Sequence, residues 1–277
     1  MRKGLLLLLL MMILSHLGIT AQNVKVISFN VCNSVSSRND GSHSWPNRSA
    51  AVIRMLKEEN PTVFGLQEAL LDQLSNIDKP FMKKYRRIGV GRDNGITRGE
   101  HMAIYYNYHL LDLVSYTTRW LSETPTRLSV GWDASCARTV TIALFRVKET
   151  GKTFYYFNTQ LDDKGTVARK ESVKLLAQLI QNETKSSIPV IVGGDMDSNI
   201  DDLTFNPLFR IGMNEAREIA LKTDHKITYT GYGKKRPAIK DHFLTRGLKI
   251  SQFRTITKRF GVPYLSDHYP IEIIFSL

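Results

Sequence analysis

Seven short apolar runs, at 24–31, 62–66, 102–106, 140–147, 154–158, 190–192 and 271–275, punctuate this chain, and many are apolar on both faces. A strand with one wet face alternates apolar with polar residues, whereas a run apolar on both faces belongs to a sheet covered on both sides. Amphipathic stretches lie between the runs. Residues 48–59, closed by Asn60-Pro61, and residues 166–181 read as helices. Strands alternating with helices predict α/β or α+β layers and argue against an all-β sandwich. No tandem repeat or low-complexity linker follows Gln22, so 22–277 is expected to fold as one domain.

What ends these runs carries the chemistry. Asn30 follows Ile27-Ser28-Phe29, and Gln67-Glu68 follow Val63 to Leu66. Asn158-Thr159-Gln160 follow Phe154 to Phe157, and Asp195-Met196-Asp197 follow Val190 to Gly194. Asp241-His242 come after Ile239-Lys240, and Asp267-His268 after Leu265-Ser266. A single polar strand end is ordinary, because Asn and Asp suit turns. Six, nearly all carboxylate or amide, predict side chains converging on one rim, where layered α/β folds place their sites. Oxygen donors with few histidines favour a hard cation, Mg²⁺ or Mn²⁺, over zinc.

Charge points the same way. Lys and Arg number 38 against 26 acids, a formal net charge of +12. That suits an anionic partner, whether nucleic acid, a phosphate ester or an anionic surface, without choosing among them. A carboxylate-held hard cation in a basic protein points to phosphate ester chemistry. Residues 217–277 hold 12 Lys/Arg and 5 Asp/Glu, including Lys234-Lys235-Arg236, an excess that either steers an anionic substrate or forms a solvated face. Two cysteines, Cys32 and Cys136, are too few for a disulfide framework or a cysteine zinc site. They read as packing thiols, and whether they pair is left open by their spacing.

At the start, Arg2 and Lys3 precede an apolar run from Leu5 to Leu14, then small residues ending at Ala21. This order predicts a secretory signal peptide over 1–21, cleaved after Ala21, and a mature protein that is periplasmic or extracellular. The apolar run is short of the ~20 residues that a membrane span needs. No later stretch is long enough, so the mature chain is expected to lack a stable membrane span and to act as a monomer.

In order along the chain, "SFNVCN" at 28–33, "GLQEAL" at 65–70, "GDMDS" at 194–198, "KDHFL" at 240–244 and "SDHYP" at 266–270 resemble the motifs of the endonuclease/exonuclease/phosphatase superfamily. Trp45, Arg48, "LSETP" at 121–125 and "GWDASCAR" at 131–138 agree. The superfamily includes pancreatic-type deoxyribonucleases, abasic-site endonucleases, neutral sphingomyelinases and inositol polyphosphate phosphatases. The resemblance implies an α/β (α+β) four-layer sandwich, two mostly antiparallel sheets face to face with helices outside, in an exported bacterial-type member. It implies Glu68 as the principal metal ligand, with Asn30 and Asp267 beside it. Asp195 would take or orient the proton of an attacking water. His268, its ring held by Asp241, would contact phosphate or share the base role. Asn30 and Arg138 would contact substrate, though Arg138 equally suits a structural ion pair.

Two positions depart from the resemblance. Gln160 stands where many relatives carry a histidine supported by a glutamate matching Glu100, and an amide can neither carry charge nor transfer a proton. Asp197 replaces the asparagine of Gly-Asp-x-Asn and sets a second carboxylate beside Asp195, which should raise the pKa of one of the pair. Either Asp197 helps hold an extra cation or it repels phosphate. The expected function is an exported Mg²⁺- or Mn²⁺-dependent phosphoesterase, a diesterase or nuclease or else a phosphatase. The alternatives are a catalytically weakened member that binds phosphorylated ligands and an exported scaffold.

Overall fold

The computed structural model describes residues 23–277. The expected leader, 1–21, lies outside the described residues, among which no helix is long and apolar enough to cross a membrane. Two six-stranded sheets form the centre. The first holds β1 (Asn23–Asn30), β2 (Val63–Ala69), β3 (Tyr85–Ile88), β4 (His101–Asn107), β11 (Ile250–Thr255) and β12 (Ile271–Ser276) in the order β11-β12-β1-β2-β4-β3. The second holds β5 (Leu111–Trp120), β6 (Thr139–Val147), β7 (Thr153–Gln160), β8 (Val190–Asp195), β9 (Asn214–Glu215) and β10 (Asp241–Arg246) in the order β5-β6-β7-β8-β10-β9.

The two sheets repeat one plan. In each, the central pair is parallel (β1 with β2, β7 with β8) and every other pairing is antiparallel. A parallel pair needs a long crossover, usually a helix. Helix α1 (Trp45–Glu59) joins β1 to β2, and α3 (Thr166–Glu183) joins β7 to β8. Three apolar layers follow. Ile27, Phe29, Phe64 and Leu66 of the first sheet pack under Val52 and Met55 of α1 and Leu74 and Ile77 of α2 (Leu71–Phe81). Their alternate neighbours Val24, Val26, Val63 and Ile104 meet Ala143, Phe145, Phe154 and Tyr156 between the sheets. Val140, Ile142, Phe157 and Val192 pack outward under Val173, Leu176 and Ile180 of α3. Both faces of the central strands are therefore dry, which is why their sequences do not alternate. The result is the four-layer sandwich.

The seven expected strands and two expected helices all form, with α1 beginning at Trp45 rather than Arg48 and α3 running to Glu183. Strands β3, β5, β9, β10 and β11, helix α2 and the short helices Asn206–Arg210 and Ala216–Ile219 are additions. β5 and β11 carry polar residues on half-exposed faces, and α2 contains Pro80, so each breaks the apolar pattern that betrays the others.

Candidate active site

Parallel strands put their carboxyl ends on one rim, and here both central pairs do so together. Asn30 ends β1, Glu68 lies next to the end of β2, Gln160 ends β7 and Asp195 ends β8. Asp241 reaches the same rim differently. It opens β10 rather than following a strand, opposite Asp195 in an antiparallel ladder. Asp267 and His268 sit in the loop leading to β12.

Glu68 is aimed by a bulge. Pairing of β2 with β4 shifts register between Leu66 and Ala69, and Glu68 takes a left-handed φ of 61°. A bulge leaves a residue unpaired and bends its strand, which re-aims the side chain. Its carboxylate is gripped on both oxygens. Oε1 accepts from Asn30 Nδ2 and Gln160 Nε2, each at 2.9 Å, and Oε2 from the backbone N–H of Asn33 at 3.2 Å. Burial works to raise the Glu68 pKa, but the hydrogen bonds from Asn30 and Gln160 and the charge of His268 hold it below the usual carboxylate range. Asn30 is fixed in turn, its Oδ1 accepting from Cys32 N–H at 2.9 Å. It steers Glu68 with its amide nitrogen.

Asp195 stands across from Glu68. Its Oδ2 accepts from Asn30 Nδ2 at 3.0 Å and Gln160 Nε2 at 3.3 Å, and its Oδ1 from Asp197 N–H at 3.0 Å. His268 Nε2 lies 3.7 Å from Asp195 Oδ2, while Nδ1 is 2.8 Å from Asp241 Oδ2. Burial opposes charge on this ring, but Asp241 and Asp195 outweigh it and push His268 up to about 10. Burial also pushes Asp195 up to about 6, with His268 opposing and Asp241 and Asp197 adding. The extra carboxylate at 197 thus acts on Asp195 in the expected direction.

Glu68, Gln160, Asp195 and His268 line one cavity of about 500 Å³ together with Asp267, Asp197, Lys240, Tyr229, Glu100 and Arg138, while Asn30 and Asp241 are buried behind it. Arg138 is already engaged, its Nε donating to Asp162 at 3.0 Å and its Nη2 to Asp163 at 2.8 Å. The ion pair, one of its two sequence readings, is formed, and Arg138 still lines the cavity. Glu100 pairs with Arg92 and accepts from Asn33 Nδ2 at 2.9 Å. Cys32 and Cys136 are both free thiols, and burial, with Asp267 and Glu68 adding, pushes Cys32 up to about 12.

Two contributors escape a reading by strand ends, and a third, Asn158, is found by it but points away from the rim. Lys240 bonds the Asp197 carboxylate. Asp162 receives Arg138, the Ser135 hydroxyl and the Gly165 N–H. Asn158 turns inward between the sheets, donating to Leu66 O and Ala103 O at 2.9 Å each and accepting from Gln67 at 2.7 Å. Lys240 was visible inside "KDHFL", but its partner lies 43 positions away and only the β8–β10 register joins them.

Glu68 and Asp267 both line the cavity, and their carboxylate oxygens suit a hard divalent cation. Ligand atoms of Asp195, Asp241 and His268 also lie within 4.8 Å of one another. With the His268 ring charged, this trio sets a proton donor between two carboxylates.

Residues 27–268 match the model of the Endonuclease/Exonuclease/phosphatase family. An endonuclease/exonuclease/phosphatase from Bacteroides vulgatus superposes with a TM-score of 0.86 at 26% identity, covering 92% of this chain and 99% of that one. A mannosyl-6-phosphatase from Bacteroides thetaiotaomicron gives 0.84 at 27% identity, covering 92% and 100%. An uncharacterized protein of Acanthamoeba polyphaga mimivirus is 27% identical over 275 residues, 91% of this chain and 100% of that protein. The order of the motifs, the paired sheets and the family match agree: the chain belongs to the endonuclease/exonuclease/phosphatase family.

Proposed function

We propose that this protein is an exported, divalent-cation-dependent phosphoesterase acting on a small phosphate ester. The observation that carries the reading is the facing pair at the rim: Glu68, held below the usual carboxylate range, opposite Asp195, raised and coupled to the Asp241–His268 dyad. Glu68 and Asp267 would hold the cation, which neutralises charge on the phosphoryl oxygens. Asp195, raised toward neutral pH, takes a proton from the attacking water more readily than an ordinary aspartate does. His268, charged and fixed by Asp241, donates to a phosphoryl oxygen as negative charge builds there. Asn30 and Gln160 keep the two carboxylates apart and aligned. The cavity has the size of a small-molecule site, and the resemblance to a mannosyl-6-phosphatase adds support for a sugar phosphate over a duplex nucleic acid.

The test is release of product from para-nitrophenyl phosphate, its bis ester and mannose 6-phosphate, with and without Mg²⁺ or Mn²⁺. Cation-dependent turnover, faster on monoesters and abolished by Glu68→Ala, is expected. A folded protein that releases nothing from any of the three esters with either cation overturns the reading.

A further inference from the structure

Asp197 poses a problem that the structure answers. It sits on the rim with a left-handed φ of 46° and lends its backbone N–H to Asp195, so its carboxylate stands beside the proposed base. An unmatched anion there would repel a phosphate. Lys240 removes the mismatch. Its ammonium bonds Asp197 Oδ1, with the lysine side chain 27% exposed and the aspartate 9%. The pair is fixed from below by the sheet: Met196 N–H donates to Lys240 O at 2.8 Å, and Lys240 N–H to Thr228 Oγ1 at 3.0 Å. Nζ also lies 4.4 Å from the centre of the Tyr229 ring, and that ring is 4.9 Å from the His268 ring. Lys240, Asp197, Tyr229, Asp195 and His268 all line the same cavity.

An ammonium has three N–H donors. Among the described residues, Asp197 alone accepts from Lys240 Nζ, which leaves two for an anionic oxygen in the cavity. We propose that Lys240, tethered by Asp197 at the mouth of β8 and β10, is a phosphate-binding residue of this site and takes the place that a second cation would fill beside Asp197. The proposal rests on the phosphoester reading for its substrate. It replaces an asparagine, a neutral donor, by an aspartate–lysine couple, a neutral unit whose lysine still donates. It also supplies a fixed positive charge to a cavity in which Gln160 carries none.

The experiment measures binding of inorganic phosphate by calorimetry in saturating Mg²⁺, so it does not depend on turnover. It compares wild type with Lys240→Met, Lys240→Arg, Asp197→Asn and the double variant, each checked by thermal melting. Lys240→Met is expected to weaken phosphate ~10- to 100-fold, the range of one hydrogen bond to a charged group. Lys240→Arg should retain most of the affinity. Asp197→Asn in the Lys240→Met background should recover part of the loss, because the exposed anion is gone. If Lys240→Met binds phosphate as wild type does, the proposal fails. It also fails if Asp197→Asn weakens phosphate further in both backgrounds, the pattern of a carboxylate that holds a second cation. A wild type that binds phosphate through Lys240 yet hydrolyses no ester would sink the phosphoesterase reading while leaving this assignment standing.

Discussion

Asn30 and Gln160 donate to the same two oxygens, Glu68 Oε1 and Asp195 Oδ2, although they end strands in different sheets. Each closes the first strand of a parallel pair whose second strand carries one of the carboxylates at or next to its end. Two amides thus bridge two acids across the seam between the sheets, and the repeated strand order is what brings them there. The arrangement needs a donor at 160. Gln160 meets that need while surrendering any proton transfer.

Gln160→Glu would replace that donor by a third carboxylate against Glu68 and Asp195. Leaving those oxygens with Asn30 as their one shared amide donor costs ~1–3 kcal/mol in a buried setting, before any like-charge repulsion. Lower thermal stability and a turnover at least ~10-fold below wild type are expected. Gln160→Asn, too short to reach both oxygens, should lose turnover with less effect on melting temperature. A Gln160→Glu protein as stable and active as wild type would show that the bridge is incidental.

The coupled Asp195–His268–Asp241 set predicts the pH profile. Asp195 must be ionised to accept a proton, so activity should rise with pH through about 6. His268 must stay protonated to donate, so activity should hold above neutrality and fall only as pH passes about 10. Asp241→Asn removes the neighbour that does most to raise the ring, and the alkaline limb should move down by a unit or more, visible in kcat/KM measured across pH. An alkaline limb unmoved by Asp241→Asn would assign that limb to another group.

Asn158 straps β7 to the backs of β2 and β4 through Leu66 O and Ala103 O. Leu66 immediately precedes the bulge that aims Glu68, and Gly65 leaves room there, because a Cβ would run into Tyr156 and Asn158. Asn158→Leu keeps the volume but strands two buried carbonyls. A loss of ~3 kcal/mol is expected, or a melting temperature lower by roughly 5–10 °C. Retention of the wild-type melting temperature would mean that the sheets need no such strap.

Much of this was legible in the chain. Apolar runs dry on both faces gave the layers, and the polar residues ending them gave Asn30, Glu68, Gln160 and Asp195 at one rim. What could not be read was direction. Asn158 and Gln160 are two apart and so should share a face, yet one turns between the sheets and the other to the rim, because the strand ends at Gln160. Arg138 and Lys240 are both cations beside carboxylates in sequence-distant segments. Only the fold shows that Arg138 is bound by two acids and Lys240 by one. Edge strands such as β5, half wet and partly polar, carry too little apolar signal to be found by pattern.

Arg48 sets the last expectation. It is fully buried, has no carboxylate partner among the described residues, and spends its guanidinium chiefly on backbone carbonyls: His43 O at 2.8 Å, Leu265 O at 2.9 Å, Cys32 O at 2.5 Å and Val31 O. Val31 and Cys32 follow Asn30, and Leu265 precedes Asp267 and His268, so one side chain ties together two loops that adjoin the site. A planar fork with five donors can hold all four acceptors, whereas an ammonium with three cannot. Arg48→Lys should therefore fail to rescue: ~2 kcal/mol or more of stability is lost with the unpaired carbonyls, and kcat falls because Asn30 and His268 no longer keep their spacing. Arg48→Met should be worse on both counts. Melting curves run beside steady-state kinetics decide it, and an Arg48→Lys protein matching wild type in both would leave the loops to be held by something else.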